Sequence, residues 1–147
     1  AGHQKKPVIL HTKGEEARIA SILKEYPGRY LVHWYSCDRY LEDYLALDCY
    51  FSIGPDVFWN PAVRAVAERV PLNRLLIETD GMSAVRWAWE ERPGQDPSSA
   101  QEQAPVSILN SLSRTLQETA VIRKLPESEL AVLTRTNLIN GFLGFLK

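Results

Sequence analysis

The sequence predicts an α/β protein built on a parallel sheet. Short runs of large apolar residues alternate with amphipathic segments, in the order strand, helix, strand, helix, strand, helix, strand. Successive parallel strands need crossover connections of this kind. Three of the apolar runs end in side chains that can bind metal ions, namely His11, His33 and Asp80. Strands of like orientation bring such ends to one edge of the sheet, so the pattern also predicts a functional rim.

The first strand is predicted over residues 7–10, with proline tolerated at its first position. Thr12 and Glu15 have the spacing of a capping box, which predicts a helix from there to residue 26. Pro27 and Gly28 then end it. The side chains that we expect this helix to bury are Ala17, Ala20, Ile22 and Leu23.

A second strand over residues 29–34 leads into a short helix over residues 40–47, and a third strand covers residues 49–53. Asn60 and Pro61 are residue types that favour the N-cap and the first position of a helix. The apolar stripe of that helix consists of Val63, Val66, Ala67 and Val70. The fourth strand is predicted over residues 75–79.

The alternation stops after the fourth strand. Residues 89–104 are rich in Pro, Gly, Gln, Ser and Glu, which predicts a flexible surface loop. Two helices are predicted over residues 106–123 and 126–140. The length fits a single domain over residues 1–147 that buries a substantial core.

Composition limits the classes of function. The chain is 45% hydrophobic, but no apolar run approaches transmembrane length, so we expect no membrane contact. Lys and Arg (17) nearly balance Asp and Glu (18), so there is no overall basic field, and a polyanionic substrate must be held locally. Cys37 and Cys49 do not form the disulfide framework of a small secreted protein, which favours a cytoplasmic location.

Two imidazoles and a carboxylate suit Zn²⁺, Mn²⁺ or a similar divalent ion, which can activate water near neutral pH. Singly, each residue has a structural explanation, since strand-end histidines are often packing residues and Asp80 before Gly81 can shape a turn. Because all three residues are predicted at one edge of the sheet, a functional site is favoured over these separate structural explanations. Three ligands are too few for a hydrolytic centre, however, and the third strand offers only Ser52 and Asp56.

Neighbouring residues are candidates for supporting roles. We expect Glu78 to point to the opposite side of the strand from Asp80, where it would accept a hydrogen bond from a ligand or form a structural ion pair. Trp34 can stack on a base, although aromatic residues at strand ends are commonly part of the core. Trp87 is a candidate for the rim of the same opening, with packing as the alternative.

A nucleophilic triad is a further alternative. His33, Ser36 or Cys37, and Asp80 could be drawn as its members. The sequence contains no nucleophile elbow and no recognisable oxyanion hole, which disfavours this interpretation.

Four segments together resemble the TatD family of metal-dependent deoxyribonucleases, namely residues 7–13, 31–36, 50–54 and 71–80. The most specific of them is segment 71–80, Pro-Leu-Asn-Arg-Leu-Leu-Ile-Glu-Thr-Asp, and Thr136-Asn137 is similar to the C-terminal signature of that family. The resemblance implies a TIM-barrel phosphodiesterase. Because a complete (β/α)8 barrel takes about 250 residues, it also implies that this chain is the C-terminal part of a barrel and is incomplete.

The resemblance further implies roles for individual residues. His11 and His33 correspond to ligands of one metal ion, and Asp80 to a ligand of a second ion and to a catalytic carboxylate. The two ions would be Mg²⁺, Mn²⁺ or Zn²⁺. The remaining ligands of the family, a His-x-His and a Glu on earlier strands, are absent here. The residues implied in substrate binding are Lys13, Trp34 and Ser36.

The predicted function is therefore hydrolysis of DNA phosphodiester bonds through a metal-activated water, with the 147 residues inactive alone. Two alternatives remain: a catalytically silent scaffold with this fold, and a related amidohydrolase acting on a small ester or amide, since one fold hosts many functions. An open part of a barrel exposes two sheet edges, which predicts self-association or pairing with the missing N-terminal portion.

Overall fold

A single parallel sheet organises the computed structural model, which describes residues 6–94 and 107–144. Its strands are β1 (Val8–Leu10), β2 (Tyr30–Val32), β3 (Tyr50–Ile53) and β4 (Leu75–Ile77). They lie in the order β1-β2-β3-β4, and all three neighbouring pairs are parallel. Because the spatial order equals the chain order, each crossover leads to the adjacent strand, as in a section of a (β/α) barrel.

Helices connect and cover the strands. They are α1 (Glu16–Glu25), α2 (Leu41–Ala46), α3 (Pro61–Arg69), α4 (Gly81–Glu90), α5 (Ile108–Arg123) and α6 (Glu127–Thr136). Short 3-10 turns cover Pro55–Phe58 and Leu72–Arg74, and a π-helical segment, Asn137–Phe142, follows α6. No helix among the described residues is long and apolar enough to cross a membrane.

The two faces of the sheet carry different residues, because side chains alternate across a strand. One face, which includes Val32, Phe51 and Leu75, packs into the main core with the helices. The opposite face carries a smaller cluster made of Leu31, Tyr50, Leu76 and Phe142. Counting by twos beyond the strand ends, this second face continues into His11, His33, Glu78 and Asp80.

The sheet has two open edges among the described residues. β1 pairs with β2 alone, and β4 pairs with β3 alone. Ile9 in β1 is 56% exposed although its neighbours in sequence are half-buried. An apolar strand residue exposed at an edge is what a section of a barrel leaves uncovered.

The start of α1 differs from the prediction. The capping box of Thr12 and Glu15 does not form, because the helix begins at Glu16 and Glu15 makes no side-chain capping bond. Instead, the amide of Gly14 donates to the carboxylate of Glu16 over 3.1 Å. Ala20 and Leu23 are buried as predicted. The expected burial was wrong for Ala17 and Ile22, which face away from the packed side of the helix and are exposed.

The start of α3 follows the prediction. The side chain of Asn60 accepts a hydrogen bond from the amide of Ala62 over 3.0 Å, and Pro61 is the first helical residue. The apolar stripe is at most 1% exposed at every predicted position, Val63, Val66, Ala67 and Val70. The cap and the stripe together fix the helix against β3 and the main core.

The region after β4 differs most from the prediction. The loop predicted over residues 89–104 begins too early, because α4 continues through Trp89 to Glu90. Positions 95–104 lie outside the described residues. The chain returns to the sheet at Asn137, whose buried side-chain amide donates to the carbonyls of Leu72 and Leu75 over 2.7 and 2.9 Å. Asn137, one of the two residues that resemble a family signature, thus holds the start of β4.

Candidate functional site

A cavity of about 280 Å³ opens at the carboxyl ends of the strands. Six of the residues singled out from the sequence line it, namely His11, Lys13, His33, Trp34, Ser36 and Asp80. They come from the segments that follow β1, β2 and β4. The structure therefore brings these residues together as expected, while their individual chemical roles stay predictions.

His33 is the centre of the polar contacts in the cavity. Its Nδ1 donates to Glu78 over 2.5 Å, and its Nε2 lies 3.6 Å from Asp80. The hydrogen bond to Glu78 is the main cause that raises the pKa of His33, opposed by burial and supported by the charges of both carboxylates. Because Glu78 takes Nδ1, the Nε2 atom is the one presented to the cavity.

Glu78 contacts a candidate metal-binding residue, His33, as predicted, but its side chain does not point in the predicted direction. It accepts hydrogen bonds from His33 and from the hydroxyl of Ser52, as a residue that orients a ligand would. The expectation that it points away from Asp80 was wrong, because residues two positions apart lie on the same side of an extended chain. Both carboxylates therefore face His33.

Asp80 occupies an unusual backbone conformation. Its φ is 54°, in the left-handed region, and the following Gly81 has a φ of 85°. Asp80 precedes α4 but makes no side-chain capping bond, so its carboxylate stays directed at the cavity. A non-glycine residue held in this region costs about 1–3 kcal/mol and persists only where its surroundings impose it. Gly81 adopts its own conformation without that steric cost.

The candidate metal-binding side chains are near one another, but they do not form a complete metal site. The ring centroids of His11 and His33 are 4.4 Å apart. Nevertheless, no three His, Cys, Asp or Glu side chains within residues 6–94 and 107–144 are placed to hold a metal ion. Two imidazoles and a carboxylate around one cavity have the right chemistry for a divalent cation. The residues present therefore fit part of a metal centre, which needs further ligands.

The half-buried Trp34 and the buried Asp56 form a second hydrogen-bonded pair in the wall of the cavity. The indole Nε1 of Trp34 donates to Asp56 over 2.5 Å, and Asn60 donates to the other carboxylate oxygen over 2.8 Å. Asp56 is only 1% exposed, and this burial raises its pKa, an effect partly offset by those two hydrogen bonds. The sequence pattern indicated Asp56 only as a polar residue near β3, with no assigned role.

The geometry does not support a nucleophilic triad. Both ring nitrogens of His33 face carboxylates, Glu78 on one side and Asp80 on the other. Neither Ser36 nor Cys37 hydrogen-bonds to His33 among the described contacts. A serine or cysteine nucleophile requires such a contact with its base, so the metal interpretation fits the arrangement better.

Comparison with known proteins decides the family. The sequence model of a family described as TatD related DNase matches residues 1–142. This chain belongs to the TatD family. A metal-dependent hydrolase of Haemophilus influenzae, itself uncharacterised, is 30% identical over 125 residues, which cover 82% of this chain and 43% of that protein.

Solved structures show the same fold. YJJV, a TatD homolog from Escherichia coli, superposes with a TM-score of 0.69 at 24% identity over 93% of this chain and 50% of its own. A TatD family hydrolase from Entamoeba histolytica gives 0.66 at 17% identity, over 95% and 52%. An uncharacterised amidohydrolase from Saccharomyces cerevisiae gives 0.67 at 13% identity, over 92% and 53%. The chain thus spans about half of each of these proteins, and its parallel sheet with helices is consistent with part of a TIM barrel.

Proposed function

We propose that this TatD chain forms the C-terminal part of a metal-dependent hydrolase that cleaves DNA phosphodiester bonds. The observation that carries the proposal is the convergence of His11, His33 and Asp80 on one cavity at the carboxyl ends of parallel strands. Catalytic residues of (β/α) barrels lie at these ends. Family membership supports hydrolysis, and the Lys13 and indole side chains in the lining of the cavity support a nucleic acid as substrate.

His11, His33 and Asp80 would hold the divalent ions, which we expect to be Mg²⁺, Mn²⁺ or Zn²⁺ because these ions suit imidazole and carboxylate ligands. A bound divalent cation supplies Lewis acidity, which neutralises phosphate charge and makes water a stronger nucleophile. Glu78 orients His33 so that Nε2 faces the cavity. Asp80 is in addition the proposed catalytic carboxylate, since it is directed at the cavity and is solvent-accessible.

The remaining residues of the cavity would bind the substrate. Lys13 provides a cation for a phosphate oxygen, and Ser36 provides a hydroxyl donor beside it. Trp34 provides an indole on which a base can stack. These local contacts suit a chain with a net charge of -1, because no general basic surface is available to hold a polyanion.

The test is hydrolysis of single-stranded DNA by the full-length protein that contains this chain, with Mg²⁺ or Mn²⁺ added. Asp80→Ala should abolish cleavage, because it removes a ligand and the proposed catalytic carboxylate. Asp38→Ala is the matched control, since Asp38 is exposed and pairs with Arg39 outside the cavity. Full activity of Asp80→Ala would refute the proposal. The 147 residues alone should be inactive.

A catalytically silent scaffold is the second candidate, favoured by the lack of three converging metal ligands in the described residues. Calorimetric titration of the full-length protein with Mn²⁺ or Zn²⁺ separates the two candidates. Binding that is lost in both His11→Ala and His33→Ala supports the hydrolase. Binding that is indifferent to both substitutions supports the scaffold.

We also propose that the open edges of the sheet pair with other polypeptide, either a second copy or the remaining portion of the barrel. Ile9 in β1 is 56% exposed, and two apolar residues in or just after α1 are exposed as well, Ile22 at 47% and Tyr26 at 63%. Such surfaces favour association. Light scattering that shows the 147 residues as a compact monomer at high concentration would contradict this. A cytoplasmic location is likewise a proposal, resting on the two free cysteines.

A further inference from the structure

We propose that Asp56 is a positioning residue that fixes the indole of Trp34, and that Trp34 and Trp87 form a subsite for one planar ring of the substrate. The inference rests on the proposed function, because the ring would be a nucleobase of the DNA chain being cleaved. It adds Asp56 and Trp87 to the residues of the site.

Four contacts hold Trp34 in one place. Its indole donates to Asp56 over 2.5 Å, and its backbone amide donates to the hydroxyl of Ser52 over 3.3 Å. Gly54 lies so close to the indole that an added Cβ would clash with it. The ring of Trp87 lies 5.8 Å away. These contacts impose a φ of 44°, a conformation that a tryptophan adopts only where its surroundings require it.

Asp56 gives the indole of Trp34 a stronger hydrogen bond than is needed simply to satisfy a buried donor. A backbone carbonyl would satisfy the Nε1 donor, as the carbonyl of Ala88 does for Trp59 over 2.8 Å. Asp56 instead presents a carboxylate that is 1% exposed, and burying such a group is unfavourable unless it is hydrogen-bonded. A hydrogen bond to a carboxylate is roughly twice as strong as one between neutral groups, and it fixes direction. The orientation of Trp34 is therefore tightly defined.

The two indoles form a corner in the wall of the cavity. Their planes lie at 73° to each other, and both side chains line the 280 Å³ cavity beside Lys13. A planar ring can stack on one indole while its edge meets the other. The corner is also next to the polar centre, because the ring centroids of Trp34 and His33 are 6.4 Å apart. A base in the corner would therefore place its own phosphate close to His33 and Lys13.

The test compares oligonucleotides that differ by one base. The full-length protein is given single-stranded DNA with either a normal or an abasic terminal nucleotide, at each end in turn. For the end that enters the site, loss of the base should raise KM roughly 5- to 150-fold in the wild type, the range expected for stacking of one base. Asp56→Ala and Trp34→Ala should raise KM for the normal substrate to the abasic value, with no further rise for the abasic substrate.

Two variants separate positioning from folding. Asp56→Asn retains an acceptor oxygen for the indole and should recover much of the preference for a base. Asn60→Ser keeps a good helix cap but removes the other bond to Asp56, so it should retain the full preference. A loss in Asp56→Ala that is equal for both substrates would make Asp56 merely structural. A wild type indifferent to the missing base would refute the subsite.

If the protein cleaves neither substrate, the proposed function is refuted, and the subsite is then tested by a second measurement. Thymidine monophosphate is titrated into the full-length protein while indole fluorescence is recorded. Quenching that is present in the wild type and reduced in Trp34→Ala, Trp87→Ala and Asp56→Ala supports the subsite. Absence of quenching in the wild type, or equal quenching in all four proteins, overturns it.

Discussion

Replacing Glu78 with Gln tests whether this carboxylate aims the imidazole of His33 at the cavity. Glu78 accepts from Nδ1 over 2.5 Å, and the two side chains are only 17% and 13% exposed. A hydrogen bond to a charged group is worth about 1.5–3 kcal/mol. About 1.4 kcal/mol corresponds to a factor of ten in an equilibrium constant. The affinity for Mn²⁺ should therefore fall about 10- to 100-fold, the range found for residues that orient metal ligands.

The assay is calorimetric titration of Mn²⁺ into the full-length protein, compared with Glu16→Gln. Glu16 is a suitable control because it lines the same cavity, yet its carboxylate accepts from the amide of Gly14 rather than from His33. The substitution removes the same charge in both variants. Unchanged affinity in Glu78→Gln would refute the orienting role. An equal loss in both variants would show that cavity charge, and not the direction of the imidazole, sets the affinity.

Three further predictions concern stability and reactivity. Asn137→Ala leaves two carbonyls near the start of β4 without their donor. The loss should cost about 2–4 kcal/mol of stability and lower Tm by roughly 4–16 °C. Asn140→Ala, at an exposed position in the same π-helical segment, should leave Tm unchanged. A calorimetric scan in which both variants melt alike would contradict this. Burial raises the pKa of Cys49 to about 12. A thiol reagent at mildly alkaline pH should therefore modify the half-buried Cys37 first and Cys49 only after denaturation. Simultaneous modification of both thiols would contradict this by showing that Cys49 is accessible. Burial also raises the pKa of Asp56 above its ordinary 3.8, so the folded state binds the proton of this carboxyl more tightly than the unfolded state does. The stability that this proton binding contributes is lost as pH rises through the raised pKa. The Tm of the wild type relative to Asp56→Asn should fall across that window, and a constant difference would count against it.

The sheet and its rim could be predicted because they depend on local patterns. Buried strands read as continuous apolar runs, and the residue that ends each run marks the carboxyl edge. His11, His33 and Asp80 were found in this way, and the structure places them around one cavity. The cap of α3 was equally visible, since Asn60 bonds to a backbone amide two residues further along.

The parts that could not be predicted depend on contacts between distant segments. Asp56 meets Trp34, which lies 22 positions earlier at the end of another strand, so no local spacing reveals the pair. α4 begins at Gly81 after a left-handed residue that makes no capping bond, which removes the usual N-terminal signal. Its packing includes a hydrogen bond from Trp59 to the carbonyl of Ala88. An available clue was missed for Glu78, because a separation of two positions already placed it on the side of Asp80.

The π-helical segment that follows α6 forms hydrogen bonds with much earlier parts of the chain. Arg29, just before β2, donates to the carbonyl of Gly141 over 2.7 Å, across 112 positions. Asn137 reaches the start of β4 across 62 and 65 positions. During synthesis, Arg29 and β4 leave the ribosome before residues 137–142, so they emerge before these hydrogen-bond partners exist. Nascent chains should accordingly acquire resistance to protease only once residues 137–142 have cleared the exit tunnel.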